Sequence, residues 1–337
     1  MGIKSLTQII KKNSPESIIH DNLYKLSGKK IAVDASLVIY QNLLNIGNRP
    51  LFKNSNGKIT NHLSGLFYKI GIYLSLNIEL IFIFDGKPPD IKSDTIMERK
   101  KKAECAKEKM NNAITKEDKD KYEKASIRLT KEMIDDVKKL LNLMGISYIH
   151  LEVGEGEAYA SELCRIGFVD YVLTEDMDTL AYGCPKLIRN CLDKSLKRSE
   201  IVSIIDYNKV LEDFELTQDQ FIEFCIFCGC DYCDSIPKVG NITALRLIKQ
   251  HGNIETIMNN NTKYVFPENY LEKFKKSKEI FLIWRDKINV DELDIHKSQK
   301  NISGLLQFLV NEIEMNENKV QDKIKKIMNV HNYKIIS

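Results

Sequence analysis

The sequence has no long hydrophobic run. Its longest apolar stretches, such as Leu80 to Phe84 ahead of Asp85, fall far short of the roughly 20 residues that a bilayer crossing needs, so no membrane span is expected. The start, MGIKSLTQIIKK, lacks the apolar segment of a signal peptide, and Leu6 stands where N-myristoylation requires Ser or Thr. An intracellular, soluble protein is therefore expected. Nor is there an excess of one charge. A net charge of +3 does not announce nucleic-acid binding, and any basic track must be offset by acids gathered elsewhere. Glycine and proline are absent from Ile91 to Lys139. With Lys and Glu so frequent there, a linker is excluded and one or two long helices are expected. There is no internal repeat and no low-complexity tail. Eight cysteines are diluted through 337 residues without a secretory signal, which points to reduced thiols rather than disulfides.

What is present is enough apolar sequence, 43%, to bury a core as one large domain or two smaller ones. IAVD at 31–34 and LIFIFD at 80–85 are short apolar runs that each end on an aspartate, and DYVLTEDMD at 170–178 repeats the theme. Helical patterns lie at Ser36 to Ile46, His62 to Leu76 and Ile134 to Met144. From Met97 to Lys109, six basic residues face three acidic ones. After Ile205 the pattern turns helical through LTQDQFIEFCIFCG, ITALRLIKQHG and a polar tail to Ser337. Alternating strands and helices predict an α/β fold with a mostly parallel central sheet flanked by helices. Ligands of such sheets sit beyond the carboxyl ends of the strands, where these aspartates fall.

Asp34, Asp85, Glu155, Glu157, Asp176 and Asp178 stand at expected strand ends or helix starts, and Asp231 stands in a Gly-rich turn after a helix. Each acid taken singly is more often a helix cap or a solvated turn. Seven on one edge would repel one another and raise one another's pKa values, so the set calls for cations. Hard oxygen ligands suit Mg²⁺ or Mn²⁺ better than Zn²⁺, since no His or Cys shares the spacing. Two such ions about 4 Å apart can activate water and stabilise the leaving oxygen of a phosphodiester.

With those acids in place, the chain resembles the flap endonucleases, members of the XPG-like structure-specific 5′ nucleases. MGIKSL, IAVDAS, FDGKPPDIKSDTIMERK, LNLMGISY, GEGEAYAS, TEDMDTLAYG, GCDYCDSI and ALRLIKQHG carry the resemblance in order over residues 1–255. It implies cleavage of 5′ flaps endonucleolytically, and of nicked or gapped 5′ ends exonucleolytically, in DNA replication and repair. It implies a first Mg²⁺ held by Asp34, Asp85, Glu155 and Glu157, partly through water. A second would be held by Asp176, Asp178 and Asp231, with Glu157 nearby. Lys92 and Arg99 match bases at the foot of a helical arch. Placed on successive turns of one helix, they could neutralise charge on the scissile phosphate. Tyr40 matches a base-stacking aromatic, and Gly2 a small residue beside the DNA. SIPKVGNITALRL resembles a helix-two-turn-helix that grips duplex backbone through amides and a K⁺ ion, with Ser235, Ile236 and Val239 as the potassium positions. Lys238 stands where the family's first glycine would be, only Gly240 of the pair remains, and Ile242 and Thr243 replace two basic positions. Amide approach to phosphate is expected to be poorer for it.

The implied organisation is a nuclease region at 1–105 with an arch from about 91, the rest of the arch at 106–139, and an internal nuclease region at 140–255. The helix-two-turn-helix lies at about 217–251 and a C-terminal helical region at 256–337. A monomer acting on branched DNA, in the nucleus or another site of replication, is expected. Cys225, Cys228, Cys230 and Cys233 imitate a metal motif. Binding there would wrap the Asp231 turn around the metal, so buried thiols are expected instead. Gln321, Ile324 and Met328 give a degenerate echo of a sliding-clamp motif without its paired aromatics, which fits the face of a terminal helix better. Neither clamp binding nor an import signal is implied. Rival readings are a sister 5′ exonuclease or junction resolvase on the same core, a catalytically silent DNA-binding scaffold, and a metal-dependent ribonuclease.

Overall fold

In the computed structural model, residues 2–44, 51–193, 195–196, 200–260 and 263–332 are described. The expected helical endpoints at Ile46 and Ser337 lie outside those residues. Among the described residues are seven strands: β1 (Ile18–Asn22), β2 (Lys30–Asp34), β3 (Glu79–Phe84), β4 (Ser147–His150), β5 (Tyr171–Leu173), β6 (Lys186–Asn190) and β7 (Ile201–Asp206). They make a mixed, mostly parallel sheet flanked by helices, the α/β class expected. The chain divides into two compact units, one of residues 1–25, 85–95 and 151–293, the other of residues 26–84, 96–150 and 294–337.

In the first unit β5 pairs parallel with β6, while β6–β7 and β7–β1 are antiparallel, with Ile18 opposite Ile205. Its core is aromatic: Phe214, Phe221, Phe224, Phe227 and Phe274 are almost wholly buried. The helix Gln218–Cys228 is buried on every side from Phe221 to Cys228, as a central helix must be when it is apolar all round. A Thr217/Gln220 capping box starts it, and Gly229 at φ 97° ends it and releases the chain into the turn that bears Asp231.

In the second unit β2, β3 and β4 are parallel, with Asp34 opposite Ile83. β2 and β3 are buried almost throughout, so they read in sequence as continuous apolar runs. The sequence pattern passed over β1, β4, β6 and β7, because IIHDN, SYIH and KLIRN mix polar with apolar residues and β7, IVSIID, runs into the helical pattern read after Ile205. The stretch 91–139 also differs from expectation. It forms a 3-10 turn at Asp90–Lys92 and then the helices Ser93–Asn111, Lys116–Ser126 and Lys131–Met144. The breaks fall at threonine N-caps: Thr115 accepts from the Asp118 amide at 3.0 Å and Thr130 from the Met133 amide at 3.2 Å. The terminal helix Glu317–Asn332 packs on Asn61–Ser75 through Val320, Ile324 and Ile327, while Met328 is exposed. No helix among the described residues is long and apolar enough to cross a membrane.

Candidate active site

Six of the seven acids lie in the first unit. Asp85 directly follows β3, and Gly86 follows it because nothing larger fits: a Cβ there would collide with the backbone of Glu152 and Val153. That close approach is a short parallel bridge, with the Gly86 amide donating to Gly154 O at 3.0 Å and Lys87 to Glu152 O at 2.9 Å. It brings Asp85 to the start of the helix Gly156–Arg165, where Oδ1 accepts the Gly156 amide at 2.6 Å. Glu155 occupies the N-cap position of that helix but makes no capping bond with its side chain, so its carboxylate is left for other partners. Glu157 is one residue inside the helix and buried.

Asp176 and Asp178 follow β5, and the Asp178 amide donates to Asp176 Oδ1 at 3.1 Å. Asp178 Oδ1 accepts the Ile3 amide at 2.7 Å. Gly2 is pressed against the same pair. Its φ is +81°, and a side chain there would run into the Asp176 and Asp178 carboxylates, so both backbone and space require glycine. Burial raises the pKa of Asp178 well above the carboxylate norm, and its Asp176 and Asp231 neighbours push it the same way. Asp176 is raised too, chiefly by burial.

Positive charge enters this cluster through Lys92. Its ammonium bonds Glu155 Oε1 and stands 3.4 Å from Asp231 Oδ2. Burial alone would lower its pKa, but Glu155, Glu157 and Asp231 more than reverse that, so it stays firmly protonated. Thr95 Oγ1 donates to Asp231 O at 2.8 Å and ties the Lys92 segment to the turn after Gln218–Cys228. Lys92 sits on the 3-10 turn just before the Ser93–Asn111 helix, not on a helical turn shared with Arg99.

The remaining expected residues divide as follows. Asp34, Tyr40 and Arg99 belong to the second unit. Asp34 ends β2, is buried, and accepts the Leu37 amide at 3.1 Å, which is a capping bond. Tyr40 is half-buried in the helix Ala35–Leu44, and Arg99 is exposed. In the first unit, the turn before the helix Asn241–His251 reverses the expected glycine logic. Lys238 takes the left-handed conformation at φ 66°, whereas Gly240 is extended at φ −92° with open space where a Cβ would stand. The Ile236 carbonyl accepts the Val239 amide at 3.0 Å, and the Ser235 hydroxyl accepts from Lys4 at 3.5 Å.

Cys225, Cys228 and Cys233 are buried and Cys230 is partly so. Burial raises all four thiols, Cys233 to about 11, which favours the protonated form. Two tyrosines that sequence reading passed over enter the site. Tyr232 donates to Glu155 Oε2 at 2.7 Å and is joined to Tyr182 by a hydroxyl–hydroxyl bond of 2.7 Å. The position of Tyr232, next to Asp231 in GCDYCD, was the available signal.

The XPG N-terminal domain matches residues 1–106 and the XPG I-region residues 145–231. Flap endonuclease 1 of Glycine max is 40% identical over 97% of this chain and 86% of its own length. The chain belongs to the flap endonucleases of the XPG family. Flap endonuclease 1-A of Sorghum bicolor is 38% identical over 98% of this chain and 88% of its own. The structure of flap endonuclease-1 from Methanococcus jannaschii superposes with a TM-score of 0.68 at 33% identity, covering 94% of this chain and 98% of that one. Membership makes this flap endonuclease-family protein a structure-specific DNA nuclease, and the family's divalent-metal use goes with it.

The acids fit such a metal in kind. They are hard carboxylate oxygens held at strand ends and a helix start, and the cationic Lys92 is already drawn among them. Among the described residues, no three His, Cys, Asp or Glu side chains close into a finished metal shell. Lys92 is a cation held among Glu155, Glu157 and Asp231.

Proposed function

We propose that this protein cleaves 5′ flaps endonucleolytically and nicked or gapped 5′ ends exonucleolytically by two-metal phosphodiester hydrolysis, in DNA replication and repair. The observation that carries the reading is the gathering of buried and half-buried carboxylates from three separate segments, Glu155 and Glu157, Asp176 and Asp178, and Asp231, around one lysine. Asp85, Glu155, Glu157, Asp176, Asp178 and Asp231 would hold Mg²⁺, with Mn²⁺ able to substitute, and Asp34 joins them by its motif position. Bound there, the metal supplies an activated water and neutralises charge on the leaving oxygen. Lys92 adds a preorganised positive charge at the scissile phosphate, and Arg99 is assigned the same role by its motif position.

Gly2 and Tyr40 are proposed DNA contacts. Lys238 and Gly240 contact duplex backbone, with K⁺ at Ser235, Ile236 and Val239. A lysine at the left-handed position brings a charge where a bare amide would otherwise face phosphate. The division into a nuclease region (1–105), arch (from about 91 to 139), internal region (140–255) and C-terminal helices (256–337) belongs to the same reading. So do action as a monomer on branched DNA and a location in the nucleus or another site of DNA replication.

Cleavage of labelled double-flap, nicked, four-way-junction and single-stranded substrates in Mg²⁺ tests this. Preferred cutting of the double flap is expected. Preference for the four-way junction, or cutting of single-stranded RNA alone, would replace the flap reading with a rival.

A further inference from the structure

Both oxygens of the Glu155 carboxylate are engaged, Oε1 by Lys92 and Oε2 by Tyr232. A phenol carries one proton. That of Tyr232 goes to the carboxylate, so its oxygen accepts from Tyr182, and the chain of donors runs Tyr182 to Tyr232 to Glu155. Both rings lie in the core, 7% and 4% exposed for Tyr182 and Tyr232. Phe281 packs against each, with ring centres 5.0 Å from Tyr182 and 5.6 Å from Tyr232. The rings are thus fixed by packing and water is kept from the hydroxyls.

The three residues come from three acid-bearing segments. Tyr182 caps the short helix that begins at Asp178, Tyr232 follows Asp231, and Glu155 precedes the helix that carries Glu157. A glutamate has three side-chain torsions to fix, and Glu155 makes no capping bond to fix them locally.

We propose that Tyr232, backed by Tyr182, is a positioning residue: its hydroxyl aims the Glu155 carboxylate for the divalent metal of the reaction. This rests on the metal reading above. Hydrogen-bond partners behind a metal-directed carboxylate set its orientation and its basicity, and their loss typically costs about 10- to 100-fold in metal affinity or activity. Tyr182 acts only through Tyr232, so its effect depends on the Tyr232 hydroxyl.

The test is Mn²⁺ binding to the full chain without DNA, followed by electron paramagnetic resonance, beside Mg²⁺-titrated cleavage of a double flap. Tyr232→Phe keeps the ring and its packing on Phe281 while deleting the hydroxyl. It should weaken Mn²⁺ binding about tenfold or more and raise the half-saturating Mg²⁺ by a similar factor, with the rate at saturating metal less affected. Tyr182→Phe should move both in the same direction by less, and the double variant should bind Mn²⁺ no worse than Tyr232→Phe alone. Additive losses in the double variant would overturn the relay. A Tyr232→Phe protein that melts earlier but binds Mn²⁺ as tightly as the parent would overturn the positioning role and leave only packing. If Tyr232→Phe does not fold, Tyr182→Phe carries the test by the same two readouts. A parent protein that binds no Mn²⁺, with or without flap DNA, would sink the metal reading itself. That failure is distinct from a parent that binds and variants that bind equally well.

Discussion

The two units bury ionisable groups and settle them in opposite ways. In the second, His62 is fully buried at the start of the helix Asn61–Ser75. Among the described residues, neither of its ring nitrogens finds a hydrogen-bond partner. Burial lowers its pKa to about 4, so at neutral pH it is simply an uncharged ring in a core. In the first unit, burial and then neighbouring carboxylates resist the ionisation of Asp176 and Asp178, and the protein holds Lys92 charged beside them. A solitary buried group gives up its charge, whereas a crowd of like groups recruits the opposite one. The second arrangement is the one to which metal binding and chemistry are assigned in the proposed function; the first is a packed core group.

The sharpest way to break that comparison is at Asp178. Asp178→Ala should abolish Mg²⁺-dependent cleavage while leaving flap binding within a few-fold, because affinity comes largely from phosphate contacts elsewhere. Asp178→Asn, which keeps an oxygen for the Ile3 amide, should also be inactive yet melt no earlier than the parent in chelator. A clear loss of stability would mean that the carboxylate is not under repulsion.

His62 tests the other side. The unfolded ring takes up a proton near its ordinary pH of 6.5 and the folded one only near 4, so its contribution is full above pH 6.5 and lost as pH falls toward 4. The loss is about 3 kcal/mol. Denaturant unfolding at pH 7, 5.5 and 4.5 should show a flatter acid limb for His62→Leu than for the parent, and parallel limbs would show that the ring finds partners when protonated.

Lys92 measures how far the recruited charge serves the reaction. Single-turnover cleavage by Lys92→Ala should fall roughly a hundredfold, as loss of one preorganised contact does elsewhere, with equilibrium DNA binding little changed. Arg99→Ala should do likewise. If either is an ordinary surface charge, cleavage and binding will weaken together and modestly, and added salt will mimic the change in the parent.

The smallest effect is expected at Lys238. Its left-handed backbone is strained for a lysine, so Lys238→Gly should raise unfolding stability by about 1 kcal/mol, the strain relieved less the added freedom of the unfolded chain. Destabilisation would show that the lysine side chain makes a compensating contact.

The acids themselves were legible in sequence because each follows an apolar run or begins a helix, and local signals of that kind survive without any partner. So were the α/β class and the helix ending at Gly229. β1, β4, β6 and β7 were not: the first three mix polar with apolar residues irregularly over four or five positions, and β7 runs into the helical pattern read after Ile205, so neighbouring strands define them. The arch stretch was legible as helix but not in its breaks, although Thr115 and Thr130 carry the capping signal that places them.

The sequence by itself determined the family, the inventory of carboxylates and the class of chemistry, because these follow from residue types in a fixed order along the chain. Only the tertiary structure decided which partners those side chains take. It placed Asp85 on the Gly156 amide, the Asp178 carboxylate on the Ile3 amide, Lys92 between Glu155 and Asp231, and Tyr182 behind Tyr232. Those pairings join residues 50 to 175 positions apart in the chain. Their geometry is set by core packing and shared burial, which no local pattern of the sequence encodes.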